Sequence, residues 1–271
     1  MVLFPNCKIN LGLHIIRKRE DGYHDLETVF YPIALKDALE SIRTEGSGIQ
    51  FTSSGLPVAG NPHDNLCVKA YHLLQKDFPD LPGLQVHLHK HIPMGAGLGG
   101  GSADGAFMLL LINRLCHLDL SREQLIRYAL QLGSDCPFFI LNQPCFAEGR
   151  GERMQPITLD LSGYRFVLIN PGIHISTAQA FAGISPQRPG QPITTILSLP
   201  VTEWKNRLVN DFEKHVTALH PAVGVAKNEL YARGALYAAM TGSGSTVYGI
   251  FPKSDRPRIQ VSKNWQIFET E

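Results

Sequence analysis

The strongest sequence signal for ligand binding or catalysis is one glycine-rich segment, PMGAGLGGGSADG at 93–105. Six of the eleven residues from 95 to 105 are glycine. Glycine lets the backbone adopt positive φ and approach a ligand closely. The segment precedes an apolar helix predicted over 103–116, and the unpaired N–H groups and dipole at a helix N-terminus favour an anion. This combination predicts a phosphate-binding loop.

Two familiar phosphate loops fit this segment poorly. Gly95, Gly97 and Gly100 match the dinucleotide fingerprint, and Asp119 lies near the position of a ribose-binding acid. That fingerprint requires a strand after the helix, however, whereas the sequence predicts a second helix capped by Ser121. A Walker A loop is excluded, because the chain contains no Gly-Lys pair.

Other residues that could take part in binding or catalysis also fit ordinary structural roles. Lys8 lies in an apolar strand, where a lysine usually faces solvent. Asp135 follows a predicted helix end, where an aspartate commonly caps a turn. Tyr23 and His24 follow an Asp-Gly turn, so they could stack on a ring or fold over the hairpin end. The Gly/Ser loop at 241–245 either is an ordinary helix-to-strand loop or forms a second wall around a nucleotide.

No metal site is predicted. His87, His89 and His91 alternate with apolar residues on one strand, so they are more typical of the wet face of a sheet than of a metal site. The five cysteines are scattered without CxxC spacing, which indicates reduced thiols in a cytoplasmic protein.

The strands and helices that must position these residues do not alternate regularly along the chain. This favours an α+β fold over a doubly wound sheet. Strands are predicted over 7–16, 26–35, 49–52, 84–92, 138–141, 164–170 and 246–251. Helices are predicted over 65–78 with Asp64 or Asn65 as cap, 103–116, 122–132 with Gly133 at the end, 204–219 and 223–240. Residues 183–200, which include four prolines, are predicted to form a loop.

The composition sets limits on function. The 271 residues include 25 Lys+Arg and 24 Asp+Glu, a formal net charge of +1, and 44% are hydrophobic. This balance disfavours a general nucleic-acid or membrane-surface binder. No signal peptide is predicted, because Pro5 and Lys8 interrupt the first apolar stretch, and the longest apolar run is far shorter than the roughly 20 residues that span a bilayer. The length allows one large domain or two, at roughly 150 residues per domain.

Four stretches together resemble the GHMP kinase superfamily, which uses a glycine-rich PxxxGLGSS loop in place of a Walker A loop. They are PNCKINLGLHIIRKREDGYHDLETVF from Pro5, PMGAGLGGGSADG from Pro93, GSDCPFF from Gly133 and TGSGST from Thr241. The first is the most specific, because its Lys-x-Asn strand and Asp-Gly-Tyr-His turn point to one member over its relatives. The resemblance implies ATP-dependent phosphorylation of the 2-hydroxyl of a cytidine-diphosphate-linked methylerythritol, a step of the non-mevalonate isoprenoid pathway.

The resemblance also implies a fold and a catalytic pair. It implies a two-domain α+β protein, with a domain like ribosomal protein S5 domain 2 at 1–152 and a ferredoxin-like domain at 153–271. Lys8 and Asp135 take the catalytic positions. Departures from the family pattern are small: Cys7 stands where alanine is usual, and Gly105 where alanine is common.

The implied ligands are ATP, Mg²⁺ and the cytidine substrate. Asn10, Tyr23 and His24 take substrate positions, and the stretch NPGIHISTAQAF suggests Phe181 as a second aromatic against the cytosine. Asn65 matches an adenine-side position. The other implied ATP-binding residues are Pro93, Met94, Gly95, Ala96, Gly97, Leu98, Gly99, Gly100, Gly101, Ser102 and Ala103.

The resemblance implies small molecules as the only partners and implies binding to neither nucleic acid nor membrane. The oligomeric state is not predicted. One rival is another kinase of the superfamily, acting on homoserine, mevalonate or a sugar. The other is a protein of a different class: a dinucleotide-dependent oxidoreductase, or a nucleic-acid-binding module with an S5-like fold. The net charge of +1 argues against RNA binding.

Overall fold

The computed structural model describes residues 1–58 and 60–270. They form two compact units, each discontinuous in sequence. Of the described residues, unit 1 comprises 1–7, 35–58, 60–94 and 99–143, and unit 2 comprises 8–34, 95–98 and 144–270. The N-terminal strand and the glycine-rich segment therefore contribute residues to both units.

The strands and helices follow one another without regular alternation. The strands are β1 (Val2–Leu3), β2 (Asn6–Lys18), β3 (His24–Lys36), β4 (Ala38–Thr44), β5 (Ile49–Gly55), β6 (Gly83–Lys90), β7 (Cys145–Gly149), β8 (Arg153–Pro156), β9 (Tyr164–Asn170), β10 (Tyr237–Met240), β11 (Val247–Pro252) and β12 (Gln266–Thr270). The helices are α1 (Leu66–Asp77), α2 (Gly100–Cys116), α3 (Arg122–Leu132), α4 (Cys136–Leu141), α5 (Thr177–Ala182), α6 (Ile193–Leu197), α7 (Asp211–Leu219) and α8 (Pro221–Ala232).

In its described residues, unit 1 contains a four-stranded sheet and four α-helices. The strand order is β1-β4-β6-β5, with β5 and β6 parallel and the other pairs antiparallel. Strand β6 alternates as its sequence predicts: Leu84, Val86 and Leu88 are fully buried, whereas His87 and His89 are exposed. Helix α2 is central, because it contacts α1, α3, α4 and β4.

The predicted helix caps of unit 1 are confirmed. Asn65 is the N-cap of α1 and accepts a hydrogen bond from the Cys67 N–H at 2.8 Å. Ser121 and Gln124 form a capping box at the start of α3, and Gly133 ends that helix. Each cap satisfies N–H groups that lack a partner within the helix. The two side-chain caps thereby fix where α1 and α3 begin, and Gly133 marks where α3 ends.

Unit 2 contains two four-stranded sheets, ordered β2-β3-β7-β8 and β10-β11-β9-β12. The second sheet is antiparallel throughout and packs against α8, which in turn contacts α7. Leu13 and Ile15 of β2 join a buried cluster with Val167 and Ile169 of β9 and Phe212 of α7. This cluster anchors the N-terminal hairpin within unit 2.

Several predicted elements are wrong. Residues 138–141 lie in helix α4 rather than a strand: Pro137 falls in its first turn, and a short apolar run shows too little periodicity to separate the two. Helix α6 lies within the predicted loop 183–200. Helix α8 ends at Ala232, where Gly234 adopts φ +93°, so residues 237–240 form β10 instead. The predicted helix 204–219 begins only at Asp211.

Within residues 1–58 and 60–270, no helix is both long enough and apolar enough to cross a membrane.

Candidate active site

The glycine-rich loop adopts a conformation that only glycine accommodates well. Gly95, Gly97 and Gly99 have φ values of +64°, +80° and +69°. Gly99 is the N-cap of α2, which starts at Gly100 and therefore earlier than predicted. This start has no side-chain cap and no acidic residue in the first turn, so its N–H groups suit an anionic ligand.

The part of this loop in unit 2 packs tightly on the second Gly/Ser loop, residues 241–245. A Cβ atom on Gly97 would lie 2.0 Å from the Thr241 carbonyl oxygen, and one on Gly242 would lie 3.1 Å from the Gly97 Cα. The Thr246 N–H donates to the Ala96 carbonyl at 3.3 Å. The second loop is therefore a platform for the first.

Lys8 is buried, contrary to the ordinary behaviour of a strand lysine, with a relative exposure of 4%. Its Nζ donates to Asn10 Oδ1 at 2.7 Å and to the Gly97 carbonyl at 3.3 Å. It also lies 4.9 Å from the centroid of the Phe30 ring, and the Lys8 N–H donates to the Leu98 carbonyl at 3.0 Å. The structure thus brings two predicted site residues, Lys8 and Asn10, to the glycine loop.

The Thr241 hydroxyl connects these groups. It accepts from the Asn10 N–H at 3.0 Å and lies 3.1 Å from the Gly97 carbonyl and 3.3 Å from Asn10 Oδ1. The Tyr248 hydroxyl donates to the Asn10 carbonyl at 2.9 Å, so both backbone polar groups of Asn10 are satisfied by side chains. The sequence motif identifies the loop at 241–245. It does not predict that Thr241 of this loop contacts Asn10 of β2, which is 231 residues away in the chain.

We expect Thr241→Val to lower kcat/KM by about 10-fold, because Asn10 and Gly97, the two groups that hold Lys8, lose the hydroxyl that joins them, and a small misplacement at a reacting site is costly. It leaves the buried Asn10 N–H without its acceptor, which costs about 1–3 kcal/mol of unfolding free energy. Steady-state kinetics and urea unfolding measure the two effects. Thr241→Ser keeps the hydroxyl and should stay close to wild type; a valine variant as active as the serine variant contradicts this role.

The predicted cytosine site lies in unit 2. His24 and Phe181 stack with ring centroids 4.4 Å apart and an interplanar angle of 18°, and Phe181 also contacts Phe212 edge-on at 4.8 Å. Burial and the charge of Lys18 lower the pKa of His24, which favours the neutral imidazole at neutral pH. Tyr23 lies against a different group, the Arg150 guanidinium, at 5.0 Å from the ring centroid.

The other predicted site residues lie in unit 1. Asp135 is the N-cap residue of α4, yet within the described chain its carboxylate makes no capping hydrogen bond to that helix, so capping does not explain this residue. Its neighbour Cys136 is fully buried, and burial raises the pKa of its thiol to about 12, which makes it an unreactive thiol at neutral pH. Asn65 uses its side-chain oxygen to cap α1.

A buried ionic cluster, missed at the sequence level, connects the start of α2 to the end of β6. Lys90 donates to Asp104 at 2.7 Å and also to Asp37, and Asp37 accepts from the His91 and Ile92 N–H groups. Burial raises the pKa of Asp104, and the Asp37 carboxylate adds to this, while Lys90 opposes it. Within unit 1, this cluster ties Asp104, near the end of the glycine-rich segment, to Lys90, which lies just before its start.

We expect Lys90→Met to destabilise the protein by about 3–5 kcal/mol, because two buried carboxylates lose their cation. The loss should be smaller at acidic pH, where the buried Asp104 carboxyl, whose pKa burial raises, is protonated and needs its cation less. Urea unfolding measures it. Lys69→Met removes an exposed ion pair with Asp64 and should cost less than about 1 kcal/mol; equal losses for the two variants contradict the importance of the cluster.

Among residues 1–58 and 60–270, no group of three or more His, Cys, Asp or Glu side chains is placed to hold a metal ion. His87 instead contacts the Thr52 and Ser54 hydroxyls at 2.9 and 2.8 Å, and His89 contacts Ser54 at 2.9 Å.

Two family models match the chain. The GHMP kinases N terminal domain matches residues 65–143, and the GHMP kinases C terminal domain matches 201–265. Together they cover more than half of the chain, and one lies on each side of the proposed boundary at 152/153, whose position stays a prediction. The predicted two-domain GHMP kinase fold is confirmed.

Individual relatives agree along almost the full length. A 4-diphosphocytidyl-2-C-methyl-D-erythritol kinase from Bacteroides thetaiotaomicron is 52% identical over 267 residues, 97% of each chain, and one from Porphyromonas gingivalis is 44% identical over 98% of each. A crystal structure of 4-(cytidine 5'-diphospho)-2C-methyl-D-erythritol kinase superposes with a TM-score of 0.80 at 32% identity, over 92% of this chain and 90% of that one. Methanococcus jannaschii mevalonate kinase, at 13% identity and a TM-score of 0.69, shares the fold over 99% and 97%. By sequence and by structure, the chain belongs to the 4-diphosphocytidyl-2-C-methyl-D-erythritol kinase family of GHMP kinases.

Proposed function

We propose that the chain transfers the γ-phosphoryl group of ATP to the 2-hydroxyl of 4-diphosphocytidyl-2-C-methyl-D-erythritol, a step of the non-mevalonate isoprenoid precursor pathway. One observation carries the proposal. The chain is 52% identical to a 4-diphosphocytidyl-2-C-methyl-D-erythritol kinase. In it, the buried Lys8 ammonium bonds both Asn10 and the glycine-rich loop, whose glycines adopt positive φ. Phosphoryl transfer depends mostly on positioning and charge stabilisation, and this arrangement supplies both.

ATP fits the glycine-rich loop because its phosphates need N–H donors rather than side chains. The uncapped start of α2 offers such donors, and the left-handed glycines let the backbone approach closely. We assign the loop residues 93–103 to the phosphates. Asn65 is proposed for the adenine side, although its side-chain oxygen caps α1.

Mg²⁺ is proposed as the partner of the ATP phosphates, whose charge it neutralises when bound. Kinases commonly hold this ion mainly through substrate phosphates with few protein ligands. Asp104 is a poor ligand candidate, because it is buried and paired with Lys90. Ser102, in the first turn of α2, has a hydroxyl and is better suited to the metal side.

Asp135 is proposed to orient the acceptor hydroxyl and take up its proton. The methyl group and the hydroxyl share C2, so the acceptor is a tertiary alcohol and a weak acid. A carboxylate is a weak base for such a group, so the proton moves late, as the new O–P bond forms. Lys8, held by Asn10 and Gly97, supplies a fixed positive charge for oxygens that gain negative charge during transfer.

The cytosine is proposed to lie between Tyr23 and Phe181. A neutral His24 can donate and accept hydrogen bonds, which suits the edge of the base. In this structure the His24 ring lies against Phe181. Binding of the base against that face of Phe181 therefore requires the His24 ring to move toward the base edge.

The proposal is tested by ADP release from Mg-ATP with the cytidine substrate, homoserine, mevalonate or galactose. Turnover with the cytidine substrate alone supports it. Turnover with another of these alcohols keeps the kinase chemistry and removes the roles of Tyr23, His24 and Phe181. A folded protein that binds ATP and turns over none of them contradicts the proposal. The cytoplasmic location indicated by the cysteines stays a prediction.

A further inference from the structure

Tyr23 is the most exposed residue of the proposed cytosine site, with a relative exposure of 56%. Its backbone is well fixed: the Tyr23 N–H donates to the Asp21 carboxylate at 3.1 Å, and its carbonyl accepts from the Arg19 N–H at 2.8 Å. The Arg19 side chain in turn bonds Asp21 and Asp25. These contacts place the Cα of Tyr23 but leave the direction of its ring to side-chain neighbours.

Arg150 is such a neighbour. Its guanidinium carbon lies 5.0 Å from the centre of the Tyr23 ring, within the range of a cation–π contact. The residue sits in the turn between β7 and β8, between Gly149 and Gly151, which have φ values of +71° and +98°. Because Gly149 pairs with Leu26 of β3, the ladder between β3 and β7 brings this turn to the end of the hairpin that carries Tyr23.

The arginine is itself held in place. Its N–H donates to the Glu152 carboxylate at 2.6 Å, and its side chain lies 3.9 Å from the same carboxylate. Although burial alone raises the pKa of Asp21, the Arg19 and Tyr23 hydrogen bonds and the charges of Arg19 and Arg150 lower it overall. The charge of Arg150 therefore acts on Asp21, which holds the backbone of Tyr23, and its guanidinium lies against the Tyr23 ring.

We propose that Arg150 is a positioning residue for substrate recognition, covering one face of Tyr23 and holding the ring so that the opposite face receives the cytosine. This inference rests on the proposed function, because it requires a base against Tyr23. A guanidinium suits this position better than an ammonium, since it is planar and stacks on aromatic faces. The arginine acts through Tyr23 and selects for a flat, cytidine-like ligand rather than for ATP.

Kinetics of single variants test the proposal. Arg150→Ala should raise KM for the cytidine substrate about 3- to 10-fold, the range expected for one partly exposed cation–π contact, while kcat and KM for ATP change less than about twofold. Arg150→Lys, which keeps the charge without the plane, should fall between alanine and wild type. Arg153→Ala is the matched control: this arginine is also exposed, three residues further along in β8, and its loss should leave all three constants unchanged.

A double variant separates positioning of Tyr23 from other roles. In a Tyr23→Ala background, Arg150→Ala should add less than about twofold to KM, because the ring on which it acts is gone. The proposal is overturned by an unchanged KM in Arg150→Ala, by a lower KM, which would place the arginine on the face that the base needs, or by an equal effect in both backgrounds. Absence of turnover by the wild type with the cytidine substrate overturns the proposed function and this inference together, whereas failure in the variants alone overturns only the inference.

Discussion

Asp135→Asn should lower kcat by at least about 100-fold and leave KM for ATP nearly unchanged, the low end of what loss of acid–base catalysis costs. The amide keeps the size and shape of the side chain but cannot take up the proton of the acceptor hydroxyl. Capping does not confound the test, because within the described chain the Asp135 carboxylate makes no capping hydrogen bond to α4. Rapid-quench measurement of a single turnover reports the transfer step directly.

The matched control is Asp119→Asn. Asp119 is exposed and has φ +52°, a conformation that asparagine also tolerates, so the change should affect neither folding nor turnover. It also tests the dinucleotide interpretation, in which Asp119 binds a ribose. If Asp135→Asn turns over near the wild-type rate, the carboxylate is not the base and the catalytic assignment is wrong.

Gly97→Ala should reduce kcat/KM for ATP by about 100-fold, the cost of displacing a reacting group by about 1 Å. The added Cβ would meet the Thr241 carbonyl at 2.0 Å, and the φ of +80° adds strain for any other residue. One of the two loops must therefore move. Because Lys8 donates to the Gly97 carbonyl, this movement also displaces the acceptor that holds Lys8 in place. Nucleotide binding by calorimetry and steady-state kinetics measure the effect.

Gly46→Ala isolates the backbone strain from the steric overlap. Gly46 has the same φ, +80°, but a Cβ there would meet nothing within 4 Å. This control should lose some stability and keep its activity. Equal kinetic losses in both variants, or an active Gly97→Ala enzyme, contradict the tight contact between the loops as the reason for glycine at 97.

Much of the fold follows from local sequence signals. The alternation of β6, the caps Asn65 and Ser121, and the glycine that ends α3 depend on neighbours within a few residues, so the sequence alone predicts them. Helix α4 and strand β10 do not follow, because short apolar runs suit either conformation. Tertiary packing decides such cases.

The candidate site also has features that the sequence alone predicts and features that it does not. The glycine loop is visible in sequence because its glycines are adjacent. The Thr241 hydroxyl that joins Asn10 to Gly97, the cluster of Lys90 with Asp37 and Asp104, and the contact of Arg150 with Tyr23 join residues that are far apart in the chain. A single sequence does not contain these pairings, since none has a periodic or motif signature.

Phosphorus NMR of the product tests the central claim most directly, because it shows which oxygen receives the phosphoryl group. The 2-hydroxyl is on a carbon that bears no hydrogen. Incubation of the enzyme with Mg-ATP and 4-diphosphocytidyl-2-C-methyl-D-erythritol should therefore yield one new monophosphate-ester resonance without splitting from a carbinol hydrogen, beside the unchanged diphosphate signals. A doublet, which indicates the secondary 3-hydroxyl, a triplet, which indicates the primary 1-hydroxyl, or no new resonance would contradict the proposed reaction.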